Sequence, residues 1–288
     1  MIEMALSIGV VRNGNTWKTC MLEQGQLIEQ CAFESAETAL AYLEHTCARY
    51  PELTLAISLA CETPFQPLSK LPFPQWESTL TFPLKDWTVQ EAKEFLIAIK
   101  DINLHSYLVP SPRSLPGIPS YRKLLRTNLG TTNDVCAVAA LLYGLREKEA
   151  AWPEMQFLLV QINRHARSVQ VLENGCIVNS IATVFETIPA GEQMSIEYEL
   201  ALWEELTRDI AGLMAIHHIE DIVVLGDYQE AFVDHFAEIY QVYLFPSGKA
   251  DMPGYELALG AAILADGLCL SGRSGEIVEH LQVREASI

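Results

Sequence analysis

The sequence predicts an α/β fold made of two similar halves, and three observations carry that prediction. Residues 6–30 lie over the stretch 156–180 at a constant offset of 150 with no gap. Strand-like apolar runs alternate with segments of helical periodicity in both halves, as a sheet flanked by helices requires. Between the halves, Ala151, Trp152 and Pro153 interrupt the pattern.

The repeat is specific in its details. Each copy opens on an apolar run, 6–11 and 156–161, followed by a polar elbow at Arg12, Asn13, Gly14 and Asn15 or at 162–165. A second strand then leads to a tight turn, where Gln24-Gly25 answers Asn174-Gly175. Gly tolerates positive φ, so both pairs suit two-residue hairpin turns. A short third strand closes each copy, Leu27-Ile28 against Ile177-Val178.

The remaining elements follow in order. Ala36, Leu40, Leu43 and Cys47 recur at helical spacing until Pro51, and 53–60 is a β-branched apolar run that reads as an interior strand. Prolines 64, 67, 72, 74 and 83 make the next stretch loop or edge structure. Thr88 and Glu91 form a capping box for a helix to about Lys100, and 107–109 is a short strand. After a Pro-rich loop, Arg122, Lys123 and Arg126 gather three cations, and 128–134 leads into an apolar helix ending near Lys148. The second half continues with a helix over 195–217, a buried parallel strand at 222–225, a helix over 228–239 and a strand at 241–245. An Ala-rich helix follows from Tyr255 and is expected to stop at Gly267. The tail carries Ile277, Val278, Leu281 and Val283 and should pack back on the body.

Composition narrows the function. The 288 residues carry 37 acidic and 19 basic side chains, a formal charge of −18. Such a surface repels phosphate backbones and anionic lipid, so neither nucleic acid nor a membrane is an expected partner. No stretch of about eighteen uncharged apolar residues exists, and the first eleven residues lack a signal-peptide pattern, so a cytoplasmic protein is expected. The seven cysteines are scattered without a C-x-x-C pair and read as reduced core residues.

The opening hairpin, residues 119–134 and the end 257–287 together resemble the actin-like ATPase and sugar-kinase superfamily, which includes acetate and butyrate kinases. Within it they are most similar to a family described as predicted butyrate kinases. The resemblance implies two ribonuclease-H-like halves, 1–150 and 151–288, with a nucleotide or small anionic ligand in the cleft between them. It also implies ATP as the ligand, placed against Arg12, Asn13, Gly14, Asn15 and Thr16 in the first elbow and Asn163 and Arg164 in the second. Gly130, Thr131 and Thr132 would form a further loop, and Gly226 and Asp227 would stand near the adenosine. Arg122 and Lys123 would be charge clamps. A homodimer is compatible with this reading.

The departures from the family pattern are selective. The first elbow of the superfamily reads approximately G-I-D-x-G-T, and its Asp position is Val11 here, with Asn13 in place of Gly. The second elbow, 161–166, lacks the acidic, Gly-rich turn, and 128–133 has Asn128 where the family has Asp. Mg²⁺ takes oxygen ligands, so an isopropyl group at Val11 disfavours it and no metal site is expected; Asp227, Asp134 and Glu3 are the alternative ligands. Gly130 to Asn133 reads either as an anion cradle at a helix start or as a plain N-cap by Thr132 or Asn133, the residue types that favour such positions. His217 and His218 are adjacent and diverge on a helix, a poor ligand pair. Residues 267–274 approximate a P-loop but follow a helix rather than a strand, which discounts them. Two functions are therefore expected: a nucleotide- or anion-binding regulatory pseudokinase with eroded metal loops, or an active ATP-dependent carboxylate kinase making an acyl phosphate.

Overall fold

The computed structural model describes residues 6–13, 16–71, 80–81, 89–102, 105–163, 166–184, 196–246, 254–269 and 272–286. The expected N-cap Thr88 and the alternative metal ligand Glu3 lie outside them.

The first sheet begins with a three-stranded meander, β1 (Leu6–Asn13), β2 (Thr16–Glu23) and β3 (Gln26–Phe33), followed by α1 (Ala36–Arg49) and β4 (Thr54–Ser58). The short β5 (Gln66–Pro67), α2 (Val89–Asp101) and β6 (His105–Leu108) complete it, in the order β3-β2-β1-β4-β6-β5. After α3 (Ser120–Leu125) and α4 (Thr132–Glu147) come β7 (Phe157–Ile162), β8 (Ala166–Glu173), β9 (Cys176–Val184), α5 (Ile196–His217), β10 (Asp221–Leu225), α6 (Gln229–Phe236) and β11 (Gln241–Leu244). These strands form a second sheet in the order β11-β10-β7-β8-β9, and α7 (Glu256–Cys269) and α8 (Arg273–His280) close the chain. Setting β5 aside, each sheet pairs a meander antiparallel and then adds two parallel strands beside its first strand. Each unit therefore has a ribonuclease-H-like sheet.

The repeat is carried into backbone detail. β8 begins and ends 150 residues after β2, and each meander has a register shift at the same place, Met21/Leu22 and Val171/Leu172. Gln24 and Gly25 have φ of 52° and 78°, Asn174 and Gly175 52° and 75°. Positive φ at both central residues is the turn that matches the right-handed twist of paired strands. The third strands run through Phe33 and Val184, longer than the dipeptides expected. The extra residue at the bulge shifts the alternation of apolar side chains and hides the continuation from a pattern of period two.

Contacts divide the chain differently from a cut at residue 150. One unit is Met1–Gly117, Thr131–Ala150 and Ser247–Ile288, the other Ile118–Gly130 and Ala151–Pro246. The C-terminal helices thus belong with the first sheet, and the cation-bearing segment before α4 belongs with the second.

In the first unit, Ile8, Val10, Trp17 and Ile57 pack with Leu43, Phe95 and Ile99 of α1 and α2. The site-bearing side of the unit is held by backbone proximity. A Cβ on Gly9 would lie 2.2 Å from the carbonyl oxygen of Ala258 and the nitrogen of Ala262, and one on Gly260 would lie 1.8 Å from the carbonyl oxygen of Cys136. α7 therefore sits directly on β1 and against α4. It does not stop at Gly267 as expected but continues to Cys269, because that glycine admits the carbonyl of Ser274, 2.2 Å from where its Cβ would be. Asp266, 3% exposed, accepts a hydrogen bond from the Ser7 hydroxyl at 3.4 Å. Burial pushes its carboxyl above the usual range, against the pull of the Ser274 and Ser7 side chains and the Gly25 backbone. Ile277, Val278, Leu281 and Val283 are buried, as the tail's apolar pattern predicts. In the second unit, Leu158, Val160, Val169 and Ile222 pack with Trp203, Leu206, Ile210, Phe232 and Phe236.

All seven cysteines are free thiols; Cys20, Cys47, Cys61 and Cys136 are buried, whereas Cys31 and Cys176 are half-buried and Cys269 is exposed, so the core reading holds for four. Among the described residues, no single helix is long and apolar enough to cross a membrane.

Two stability outcomes follow. Gly260→Ala should cost about 3 kcal/mol because backbone must move, whereas Gly144→Ala, in open space within α4, should gain about 0.5–1 kcal/mol; urea midpoints compare them. Because its raised pKa makes the folded state bind more protons than the unfolded chain, Asp266 makes stability fall as pH rises above its ordinary 3.8. The stability of the wild type minus that of Asp266→Asn should therefore decrease from about pH 4 to about pH 7.

Candidate functional site

In the first unit, the carboxyl ends of β1 and β4 meet the start of α4. Val11 pairs in register with Ser58, the last residue of β4, and both are buried. The Ser58 hydroxyl lies 2.6 Å from both the Thr132 hydroxyl and the Asn133 side-chain oxygen. Asn133 in turn donates its amide to the carbonyl of Arg12 at 3.4 Å. Asn13 faces Thr16 at the tip of the hairpin, whereas Gly14 and Asn15 lie outside the described residues. Sequence reasoning missed Ser58; its signal was a hydroxyl at the carboxyl end of an apolar strand, where ligands collect in open α/β sheets.

The loop expected to cradle an anion satisfies its donors internally. Gly130 N–H donates to the Asn128 side chain at 2.9 Å and Thr131 N–H to the Asp134 carboxylate at 2.6 Å. Thr132 N–H reaches the Cys61 carbonyl at 3.0 Å, and Asp134 N–H the Thr131 carbonyl at 3.1 Å. Thr131 is the N-cap of α4, one residue before the positions expected, and forms a capping box with Asp134. The favourable position for a negative charge at this helix start is thus taken by the chain's own carboxylate.

Val11 is 1% exposed and offers no oxygen, while Asp134 is buried and bonded to its own helix. Among the described residues, no three His, Cys, Asp or Glu side chains converge as a ligand set. Burial pushes the nearby thiols up, Cys61 far up and Cys136 to about 12, so both stay protonated at neutral pH. Glu62 is also raised by burial, opposed by Arg113, which holds it at 3.0 Å.

In the second unit, Gly226 has φ 120°, and its Cβ would lie 2.2 Å from the Ile162 carbonyl oxygen and 2.7 Å from the Asn163 side-chain oxygen. Gly226 thus lets β10 close on the elbow after β7, which brings Asn163, Gly226 and the exposed Asp227 together. Arg164 lies outside the described residues.

Arg122, expected as a clamp, is bonded to the edge of a sheet. β9 is an edge strand of the second sheet, and its outward carbonyls need donors. Arg122 donates to the Val178 carbonyl at 2.6 Å, and Arg126 to the Ser180 carbonyl at 2.7 Å and the Asn179 side chain at 3.0 Å. Ala182 N–H completes the edge by donating to the Asn128 carbonyl at 3.4 Å. Burial lowers the Arg126 pKa, with the Arg122 charge adding to it and Asp209 opposing. Lys123 shares the same helix. Two shallow grooves, of about 480 Å³ beside His218, Ile219 and Tyr240 and about 690 Å³ beside Cys47, Pro51 and Ile102, lie at the amino ends of the strands.

A family model described as "Protein of unknown function (DUF1464)" matches residues 63–191, less than half of the chain. No curated protein shows significant sequence similarity to it. The inorganic polyphosphate/ATP-glucomannokinase from Arthrobacter sp. strain KM is similar in structure at a TM-score of 0.48 and 12% identity, covering 92% of this chain and 100% of its own. The activator of the 2-hydroxyisocaproyl-CoA dehydratase from Clostridium difficile, with bound ADPNP, gives 0.45 and 9% over 96% and 98%. A ROK family transcriptional regulator, homolog of the E. coli MLC protein, gives 0.49 and 13% over 96% and 82%.

Asp134→Ala should remove the capping box and cost about 1 kcal/mol in urea unfolding. Gly226→Ala should cost about 3 kcal/mol, since both its φ and its space exclude a methyl group.

Proposed function

We propose that this chain is a nucleotide- or small-anion-binding member of the actin-like ATPase superfamily that does not carry out metal-assisted phosphoryl transfer. In this reading it is similar in kind to the predicted butyrate kinases and acts as a regulatory protein. The observation that supports it most is the capture of Asp134 by the start of α4 while Val11 fills the acidic position of the elbow. Phosphoryl transfer needs charge on the moving group to be neutralised by metal and cations. Here the Asp134 carboxylate is spent on a helix cap, and Arg122, one of the expected cations, supports the edge of a sheet. The residues proposed to meet a ligand are Arg12, Asn13 and Thr16 in the first unit and Asn163 and Asp227 in the second.

A thermal-shift series of nucleotides with and without Mg²⁺ tests this, since a ligand that binds only the folded state raises its apparent stability. ATP or another nucleotide should raise the melting temperature equally with and without Mg²⁺, and Val11→Asp should introduce a Mg²⁺-dependent component. A wild-type shift that requires Mg²⁺ would favour the carboxylate-kinase reading instead.

A further inference from the structure

A sheet that ends on an unpaired strand presents a row of backbone donors and acceptors, and chains that stay single blunt such an edge with charge, proline or a cover. Three of the four described edges are blunted. β5 is two residues long and contains Pro67, β3 carries the exposed Glu29, and β9 is covered by Arg122, Arg126 and Asn128. β11, at the other end of the second sheet, is Gln241-Val242-Tyr243-Leu244, with neither a charge nor a proline. Among the described residues eight large apolar side chains are exposed, and three of them, Ile239, Tyr243 and Leu244, belong to this strand and the turn before it.

The backbone fixes which groups face outward. Phe245 N–H donates to the Val224 carbonyl at 2.9 Å, so it is turned toward β10. A strand turns its backbone groups alternately to its two sides. Tyr243 therefore also faces β10, and the N–H and C=O of Val242 and Leu244 face the open edge. Side chains alternate between the two faces. Val242 packs on the core of the unit and shares that face with Leu244, whereas Gln241 and Tyr243 share the other, where the Gln241 amide donates to the Tyr243 hydroxyl.

We propose that β11 is a dimerisation edge, on which a second copy of this chain adds its own β11 antiparallel about a two-fold axis at Tyr243. That axis sets Val242 opposite Leu244 of the second copy, so the outward groups meet and each pair exchanges both N–H···O bonds. It also sets the two Tyr243 rings opposite each other on one face and Val242 against Leu244 on the other, cross-strand pairs that strengthen the ladder. Pro246 of the second copy falls opposite Tyr240, beside the groove of about 480 Å³ that Met214, Ile219 and Ile239 line. Having no N–H, it ends the pairing there. Charge favours the same partner. A chain of formal charge −18 repels its copies over most of its surface, whereas this strand is uncharged. Glu220, Asp221 and Glu238 stand only near its start, and the antiparallel arrangement sets them toward the uncharged end of the second copy, Phe245 and Pro246. The interface is isologous, so it closes at two copies.

Sedimentation equilibrium of the full chain tests this. At about 50 µM, where mass action favours association, the wild type should show twice the mass of one chain. Tyr243→Lys and Tyr243→Glu each set like charges opposite each other on the axis, and each should show the mass of a single chain. Mixed in equal amounts, the two variants set opposite charges there and should recover the doubled mass. The Tyr243 side chain is 46% exposed, so neither substitution empties the core. A readout independent of any variant is an interchain NMR contact between the Tyr243 α-protons of a labelled and an unlabelled wild-type chain, which a directly opposed antiparallel pair brings together. A wild type of single mass, a variant that keeps the doubled mass by itself, a mixture that stays single, or the lack of that contact would each overturn the proposal.

Discussion

The contact on which the first unit depends is one that only hydrogen side chains permit. α7 lies against β1 at Gly9 and against α4 at Gly260, with backbone atoms where any other residue would carry a Cβ. Close packing of this kind is intolerant of volume, because protein interiors have no slack to absorb an added methyl group. It also decides the connectivity: the last helices of the chain return to the first sheet rather than serving the second. A chain duplicated in sequence is thereby divided into units that exchange segments.

The same economy governs the polar groups. Edge strand β9 leaves carbonyls that need donors, and the chain provides Arg122 and Arg126 rather than another strand. The start of α4 leaves donors that need acceptors, and the chain provides Asn128, Cys61 and Asp134. These groups are satisfied within the fold, where unmet donors and acceptors would cost stability.

Much of the fold was legible because its signals are local. The apolar runs, the Gln24-Gly25 and Asn174-Gly175 turns and the offset of 150 all depend on neighbouring residues, and the strands and turns fall where they place them. What escaped depends on distant partners. Gly267 reads as a helix stop until α8 is seen to need its space. Arg122 reads as a ligand clamp because cations stand out in a chain of charge −18, and nothing in its neighbours announces the Val178 carbonyl. Ser58 was legible in principle, as a hydroxyl closing an apolar strand.

The central claim is that this scaffold holds a ligand without moving a phosphoryl group. Phosphorus NMR of the protein incubated with ATP, Mg²⁺ and acetate or butyrate addresses it directly. The account predicts that the three resonances of ATP persist unchanged beside the protein. Growth of an acyl phosphate resonance with matching loss of the γ-phosphate would contradict it.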